Sequence, residues 1–230
     1  MQYEEWIDGI FNREQLDDFN LDWDEDWIQK LYSLPSSEVL GLIAETFARA
    51  GESLRHFSDV QVALGLDFIT NECREFLYWI YKNNVSTTER LAVINSIYIL
   101  YRDCLALQCS DDPAAEATTR MDIYAYMFWD ASALSIYGVL HRNIEDKEKL
   151  VDAILDVLEN TLTISNATCQ RAALHGLGHS RWEINHYAKE KHQTDWLQRV
   201  EIIIDRYCAL STTDEHLREY ALQARTGYVQ

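Results

Sequence analysis

Two histidines, His175 and His179, stand one helical turn apart in the stretch ALHGLGHSRW. Residues four apart lie on one face of an α-helix, so a helix that ran on to about residue 189 would add Glu183 and His186 to that face. Imidazole and carboxylate groups are common ligands of Zn²⁺. All four span about 16 Å of helix, too far to share one ion. His179, Glu183 and His186 could hold one, and so could His175 and His179 with a ligand from elsewhere.

The same stretch is also typical of close helix packing. At 100° per residue, five small residues fall on one stripe, namely Cys169, Ala172, Ala173, Gly176 and Ser180. A stripe with so little bulk lets a second helix approach closely. Gly176, Gly178 and Ser180 continue a helix poorly, and a helix that ended near Ser180 would dissolve the histidine face. We therefore favour packing, expect no metal and no cofactor, and keep the metal site as the alternative.

No other stretch carries a recognisable reaction chemistry. The sequence contains no P-loop, no GxGxxG and no GxSxG motif. An aromatic run between residues 121 and 141 could bracket a groove; it contains Tyr124, Tyr126, Trp129 and Tyr137. Core packing with hydrogen-bonded hydroxyl groups is the simpler explanation of that run. We predict no catalytic residue.

The composition favours a helical protein with a basic partner. The 230 residues are 47% hydrophobic and 12% aromatic, enough for one good core or two small domains at most. Only 2 prolines and 8 glycines are present, which favours helices over strands joined by turns. A net charge of −18 would repel nucleic-acid phosphates and anionic membrane surfaces. We expect neither as a direct partner and favour a basic protein.

The cysteines and the N-terminal stretch indicate a cytoplasmic protein. Five cysteines form no CxxC pair, and their odd number argues against a disulfide framework. The stretch MQYEEWIDGIFNREQ lacks the charged-then-apolar pattern of a signal peptide. No run of about 18 apolar residues could span a membrane.

The first thirty residues form an acidic, aromatic segment. They contain ten acidic residues and only two basic ones, Arg13 and Lys30. One interpretation is a helix or two docked by the aromatic side chains, with the acids facing water. The other is a surface that receives a cationic partner. Its candidate binding residues are Asp17, Asp18, Asp22, Asp24, Glu25, Asp26, Trp23 and Trp27.

From residue 35 the pattern predicts helices almost without interruption. Pro35 begins a helix that stops near Gly51, and Asn166 is expected to cap another. The other predicted helices cover 58–82, Thr87 to the break at Asp111–Pro113, 116–140, 147–162 and 195–210. Because no Gly-rich or Pro-rich linker divides the chain, we expect a single domain over residues 1–230. Its parts are an acidic segment (1–34), helix pairs (35–144) and two repeats (145–230).

The two repeats are offset by 48 residues. Residues 166–176 align with residues 214–224, so that the caps Asn166 and Asp214 match and Gly176 matches Ala224. This offset is close to the length of helical-pair repeats. The predicted helix over 195–210 lies between the two copies.

The repeated helix resembles the second helix of HEAT-like repeats, whose pattern is apolar-Arg-x-x-Ala-Ala-x-Ala-Leu-Gly. The first copy carries it as Cys169, Gln170, Ala173, Leu174, Gly176, Leu177 and Gly178, and the second as Leu217, Arg218, Ala221, Leu222 and Ala224. The first copy departs from the pattern at Gln170, with Arg171 one place late. The second has Arg225 and Thr226 where Leu-Gly is usual.

The resemblance implies an all-α fold in which antiparallel helix pairs stack as a short α-solenoid. The second helices of such arrays line an extended binding surface. It therefore makes surface candidates of Arg171, His175, His179 and Arg218. The HEAT-like deoxyhypusine hydroxylases use His-Glu dipeptides as iron ligands, and this chain has no His-Glu dipeptide.

We therefore expect a non-catalytic protein-binding module. Its most concrete form is an acidic bacterial immunity protein that neutralises a basic toxin, such as a nuclease. One alternative is a metal-dependent or cofactor-modifying enzyme that uses the region of His175, His179 and His186. Another is a scaffold that binds a neutral peptide.

Overall fold

The computed structural model describes residues 1–16, 21–71, 76–115, 117–188 and 192–229. Over these residues the fold is all-α, as predicted, and the only β-structure is two isolated bridges. The α-helices are α1 (Tyr3–Phe11), α2 (Glu25–Ser33), α3 (Ser36–Ala48), α4 (Ala50–Ser53), α5 (Asp59–Thr70), α6 (Thr87–Leu100), α7 (Ala106–Gln108), α8 (Arg120–Ala131), α9 (Ile136–His141), α10 (Lys147–Thr161), α11 (Ala167–Tyr187), α12 (Gln193–Ala209) and α13 (Glu215–Thr226). A 3₁₀-helix covers Leu77–Tyr81, and a π-helical turn over Tyr101–Leu105 joins α6 to α7.

Side-chain caps set several helix starts that the sequence predicted. Ser86 accepts a hydrogen bond from the backbone N–H of Glu89, and the Glu89 carboxylate accepts one from the backbone of Ser86. Asn166 accepts from the backbone N–H of Cys169 at 3.0 Å, which confirms its predicted role as an N-cap. α3 begins at Ser36, directly after Pro35. These starts depend on a few neighbouring residues, which is why the sequence reveals them.

Two predicted long helices are interrupted, whereas the stop predicted near Gly51 is confirmed, since α3 ends at Ala48. The helix predicted over 58–82 ends at Thr70, and the chain resumes as the 3₁₀-helix Leu77–Tyr81. The helix predicted over 116–140 breaks at Ser132, where α8 ends before Ser135 caps α9. Apolar spacing alone does not separate one helix from two that share a buried face. Gly51 lies inside α4, where a Cβ would meet the Asp103 carbonyl oxygen at 2.5 Å, so close approach requires glycine there.

Two series of contacts connect several of the helices. In one series α3 contacts α6, and α6 contacts α10. In the other, α5 contacts α8, α8 contacts α11, and α11 contacts α13. The helices of the two predicted repeats are neighbours, since α10 packs on α11 and α12 on α13. The all-α class is thereby confirmed, while the solenoid and the single-domain assignment stay predictions.

α11 lies at the centre of the C-terminal half, in contact with α8, α9, α10, α12 and α13. Its small-residue stripe is buried, as predicted. A Cβ at Gly176 would meet Leu158 Cδ2 at 2.7 Å and Trp129 Cγ at 2.8 Å. α11 continues to Tyr187, past the region of Gly176, Gly178 and Ser180, where the sequence left open whether the helix would end. We attribute this to packing, which offsets the low helix propensity of the glycines.

Two further features of the chain concern its cysteines and its apolar segments. The four cysteines in the described residues are all free, and Cys104, Cys109 and Cys169 are buried. Cys73 lies outside the described residues. In the described part of the chain, no helix is long and apolar enough to cross a membrane.

Candidate functional site

α8 and α11 bring a carboxylate between two imidazole rings. Asp130, in the last turn of α8, places Oδ2 3.0 Å from His175 Nε2 and Oδ1 3.0 Å from His179 Nε2. The two histidines lie one turn apart on α11, and their ring centroids are 4.5 Å apart. We call Asp130, His175 and His179 the Asp–His cluster. It combines the pair that the sequence singled out with a third residue that the sequence did not.

Two tyrosines fix the orientation of His175. Its Nδ1 lies 2.8 Å from the hydroxyl oxygen of Tyr220 on α13, and that hydroxyl lies 2.9 Å from the hydroxyl of Tyr126 on α8. The Tyr126 ring packs on the His175 ring, with centroids 4.3 Å apart. Only 2% of His175 is exposed. The prediction that His175 lies on a binding surface is therefore wrong, because three aromatic and polar neighbours cover it.

The second histidine, His179, is more exposed than His175 and differs from it in its hydrogen bonds. His179 has 34% of its side chain exposed. Its Nε2 is nevertheless buried and has no hydrogen-bond partner among the described residues, although Asp130 Oδ1 lies 3.0 Å away. A buried polar atom without a hydrogen bond is uncommon and costs free energy. The cluster is thus well ordered at His175 and incompletely satisfied at His179.

The charges of the Asp–His cluster shift the pKa values of Asp130 and His179. Burial alone would raise the pKa of the Asp130 carboxyl, but the contacts with His175 and His179 outweigh burial and bring that pKa below its ordinary value. The same carboxylate, opposed by burial, raises the pKa of His179. Burial and the hydrogen bond with Tyr126 raise the pKa of Tyr220, so its hydroxyl stays protonated. Asp130 is therefore an anion at neutral pH.

Glu183 lies one further turn along α11 and is held by a different contact. Its Oε2 accepts a hydrogen bond from the backbone N–H of Tyr137 at 2.9 Å. Burial raises the pKa of Glu183 to about 7, although that hydrogen bond and His179 lower it in part. This carboxyl is therefore partly protonated near neutral pH.

His186, the fourth residue of the predicted face, lies apart from the cluster. Its ring stacks on the Trp182 ring at 4.2 Å, and its Nδ1 lies 2.7 Å from the Trp182 carbonyl oxygen. The side chain is exposed. The four residues of the hypothetical helix face thus separate into a pair beside Asp130, a neighbour at Glu183, and His186.

Sequence spacing could not find Asp130. It precedes His175 by 45 residues, and only the packing of α8 on α11 joins them. Asp130 does stand in the aromatic run MDIYAYMFWDAS that the sequence singled out, together with Tyr126. The run therefore supplies two of the polar groups around the histidines, in addition to core residues such as Trp129, which is 3% exposed.

The two arginine candidates make contacts within the fold. The Arg171 guanidinium donates to the carbonyl oxygens of Pro113 and Ala115. Arg218 donates to the carbonyl oxygens of Leu210 and Thr213, at 3.3 and 3.2 Å. Both side chains hold a loop against a helix, and a role for either in partner binding stays a prediction.

The N-terminal segment fits the first interpretation of its sequence, with aromatic side chains docked and acids exposed, while the binding of a cationic partner stays a prediction. Trp23 and Trp27 are half-buried: the Trp23 ring lies 4.3 Å from the Phe68 ring, and the Trp27 ring covers Gly9 so closely that a Cβ there would lie 2.3 Å from it. The acids face outward. Those of the candidate set that the structure describes are exposed, namely Asp22, Asp24, Glu25 and Asp26, whereas Asp17 and Asp18 lie outside the described residues.

Few acids of this segment are paired with a basic side chain among the described residues. Over residues 1–16 and 21–30, the acid paired with a basic side chain is Glu5, which contacts Lys30. Asp24 instead caps α2 by accepting from the backbone N–H of Trp27. We call Glu4, Asp8, Glu14, Asp22, Asp24, Glu25 and Asp26 the acidic surface. On α10, by contrast, Asp152 and Asp156 are both paired with Arg199.

The comparisons with known proteins found no match. No family model matches the chain, and no curated protein or solved structure matches it significantly. The HEAT-like resemblance over residues 145–230 therefore rests on the sequence motif and stays a prediction.

Proposed function

We propose that this protein is a binding module for a basic protein partner. The observation that carries the proposal is the acidic surface, whose exposed carboxylates form no salt bridge with a base among the described residues, in a chain of net charge −18. Such a surface attracts a cationic partner over a distance and speeds its association. The half-buried Trp23 and Trp27 fix the segment to the core, which limits the ordering cost of binding.

The most concrete form is a bacterial immunity protein that acts in the cytoplasm and neutralises a toxin such as a nuclease. A nuclease binds phosphates through lysine and arginine side chains. Carboxylates placed against those side chains would compete with nucleic acid for the same positive surface. This form of the proposal accounts for a binding protein with strong negative charge and without a recognisable catalytic motif.

The test is affinity capture with a matched charge control. The untagged full-length protein is coupled to a resin, and proteins captured from a bacterial lysate are eluted with rising salt and identified by mass. The variant Asp22→Asn/Glu25→Gln/Asp26→Asn removes three acids from the acidic surface and keeps the Asp24 cap. The control Glu145→Gln/Glu148→Gln/Asp195→Asn removes three exposed acids from the C-terminal half.

We expect the wild type and the control to retain one strongly basic protein that elutes at a defined salt step. We expect the acidic-surface variant to bind it about tenfold more slowly, because the attracting charge is gone. Retention of no basic protein, or equal retention by both triple variants, would contradict the proposal. Binding that does not respond to salt would indicate the neutral-peptide scaffold instead.

A second candidate function is the metal-dependent enzyme. The observation that favours it is the convergence of Asp130 with His175 and His179, which are metal-ligand types. Its first requirement is a bound metal ion, and that requirement can be tested without knowing a substrate.

A further inference from the structure

We propose that Asp130, His175 and His179 bind a single first-row divalent transition-metal ion. Their three donor atoms all lie within 4.8 Å of one another, and Asp130 oxygens lie 3.0 Å from each Nε2. Ligands of tetrahedral Zn²⁺, with bonds of 2.0–2.1 Å, lie about 3.3 Å apart. The two Asp130–histidine contacts would therefore open by a few tenths of an ångström, and the third donor pair, which lies within 4.8 Å, would adjust to the same spacing. This proposal goes beyond the acidic surface and does not depend on it.

His175 is prepared for this role by its other ring nitrogen. A metal-binding histidine usually donates its second N–H to an oxygen, which fixes the tautomer and the ring orientation. The contact of 2.8 Å between His175 Nδ1 and the Tyr220 hydroxyl oxygen has that form. With Nδ1–H donating to Tyr220, the lone pair of Nε2 is free for the ion. Tyr126 packs on the same ring and limits its rotation.

His179 supplies the second nitrogen, and its present surroundings leave that nitrogen unsatisfied. Its Nε2 is buried without a hydrogen bond to any described residue, although Asp130 Oδ1 is only 3.0 Å away. An ion between the three donors would bond to this nitrogen and to the carboxylate together. The same ion would compensate the negative charge of Asp130, which no lysine or arginine among the described residues pairs with in a salt bridge.

Three protein ligands leave a position of the ion open, as in catalytic metal sites. His179 also lines a surface cavity of about 480 Å³, with Trp182, Gln223 and Tyr228 among its other walls. Part of the His179 side chain therefore borders solvent, while its Nε2 is buried behind it. A water molecule or a small anionic ligand is the chemical class that fits the open position.

The ligand set differs from the one that helix spacing suggested. Glu183 is engaged by the backbone N–H of Tyr137, and His186 stacks on Trp182. His186 therefore offers a matched control, because it is an exposed histidine of the same helix outside the Asp–His cluster.

The test is a Zn²⁺ titration of the full-length protein, produced without a histidine tag and dialysed against a chelator. We expect one equivalent of Zn²⁺ to bind. His179→Ala should lower the affinity at least a hundredfold, and Tyr220→Phe about tenfold, through loss of the group that orients His175. His186→Ala should leave the affinity unchanged. Circular dichroism shows whether each variant is folded, and Tyr220→Phe, which removes a single oxygen atom, serves if His179→Ala does not fold.

Co²⁺ then identifies the ligand type, because the chain also contains free thiols. We expect visible ligand-field bands without a thiolate charge-transfer band, and their loss in Asp130→Asn. Three results would overturn the proposal: no stoichiometric binding by the wild type, equal affinities in wild type and His179→Ala, or a thiolate band in the Co²⁺ spectrum. A loss of affinity in His186→Ala as large as that in His179→Ala would do so as well.

Discussion

At the scale of single residues, position in the fold decides how much of an acidic side chain faces water. Asp22 and Glu25 face water, whereas Glu183 lies partly buried against the backbone of Tyr137. Burial penalises the charged form, and the pKa of Glu183 rises to about 7. The same side-chain type is therefore exposed to water at the acidic surface and, as Glu183, forms a proton-dependent group beside the Asp–His cluster.

Glu183 should make stability depend on pH in a defined direction. Its pKa is about 7 in the folded protein and near 4.5 when unfolded, so the folded state binds more protons between these values. Its contribution is complete below pH 4.5 and is lost as pH rises to about 7. We expect Glu183→Gln to match the wild type near pH 4.5 and to exceed it at pH 8, by on the order of 1–3 kcal/mol.

The measurement is urea unfolding of both proteins across that pH range, with a chelator present so that metal binding does not contribute. His179 titrates in both proteins, and the difference between them reports Glu183 together with its electrostatic coupling to His179. Parallel stability profiles for wild type and variant would contradict the assigned pKa.

The residue scale also shows what a sequence can and cannot reveal about the site. His175 and His179 could be identified because one helix carries both, at a spacing that any α-helix converts into a shared face. Asp130 and Tyr220 could not, because they reach His175 through the packing of α8 and α13 on α11. The burial of His175 depends on the same contacts, so its predicted place on a surface was wrong.

At the scale of helices, close approach explains where glycine is required. Gly176 faces Trp129 and Leu158 at distances that leave no room for a methyl group, whereas Gly41 on α3 has nothing within 4 Å of its would-be Cβ. Both lie inside helices, where glycine is intrinsically unfavourable. Substitutions at these two positions therefore distinguish the effect of helix packing from the effect of helix propensity.

We expect opposite effects of one substitution at these two positions. Gly176→Ala should lower the free energy of unfolding by about 1–3 kcal/mol, because Trp129 and Leu158 must move. Gly41→Ala should raise it by about 0.5–1 kcal/mol through helix propensity. Chemical denaturation of both variants measures the difference, and equal shifts in the same direction would contradict the packing role of Gly176.

Helix starts and helix lengths differ in how far sequence predicts them. Asn166 and Ser86 cap their helices through contacts three residues away, so the local pattern was sufficient. The separation of α8 from α9 at Ser132 was not predicted, and neither was the end of α5 at Thr70. Both depend on where the flanking residues pack in three dimensions, and a continuous apolar pattern conceals the break.

At the scale of the whole molecule, charge is unevenly balanced. Acids of α10 pair with Arg199, while the acidic surface forms no salt bridge with a base in the part of the chain that the structure describes. Repulsion among like charges destabilises the compact state, and dissolved salt screens it. Screening also weakens exposed ion pairs, but each of these contributes little.

Salt should therefore stabilise this protein. We expect its melting temperature to rise by a few degrees between about 10 mM and 500 mM NaCl, because a net charge of −18 is screened. The variant Asp22→Asn/Glu25→Gln/Asp26→Asn should melt higher than the wild type at low salt and show a smaller rise. Thermal denaturation followed by circular dichroism measures both, and a melting temperature that falls with salt would contradict this account.

The contact between Tyr220 and His175 affects when the surroundings of His175 can form during synthesis. His175 leaves the ribosome after Tyr126 and Asp130 but 45 residues before the hydroxyl that faces its Nδ1. Until α13 docks on α11, the imidazole has nothing from that helix to orient it, and Gly178 lacks the cover of Val229. The geometry around the two histidines is thus complete only after α13 has been made, and a nascent chain without α13 would carry both histidines but not their final arrangement.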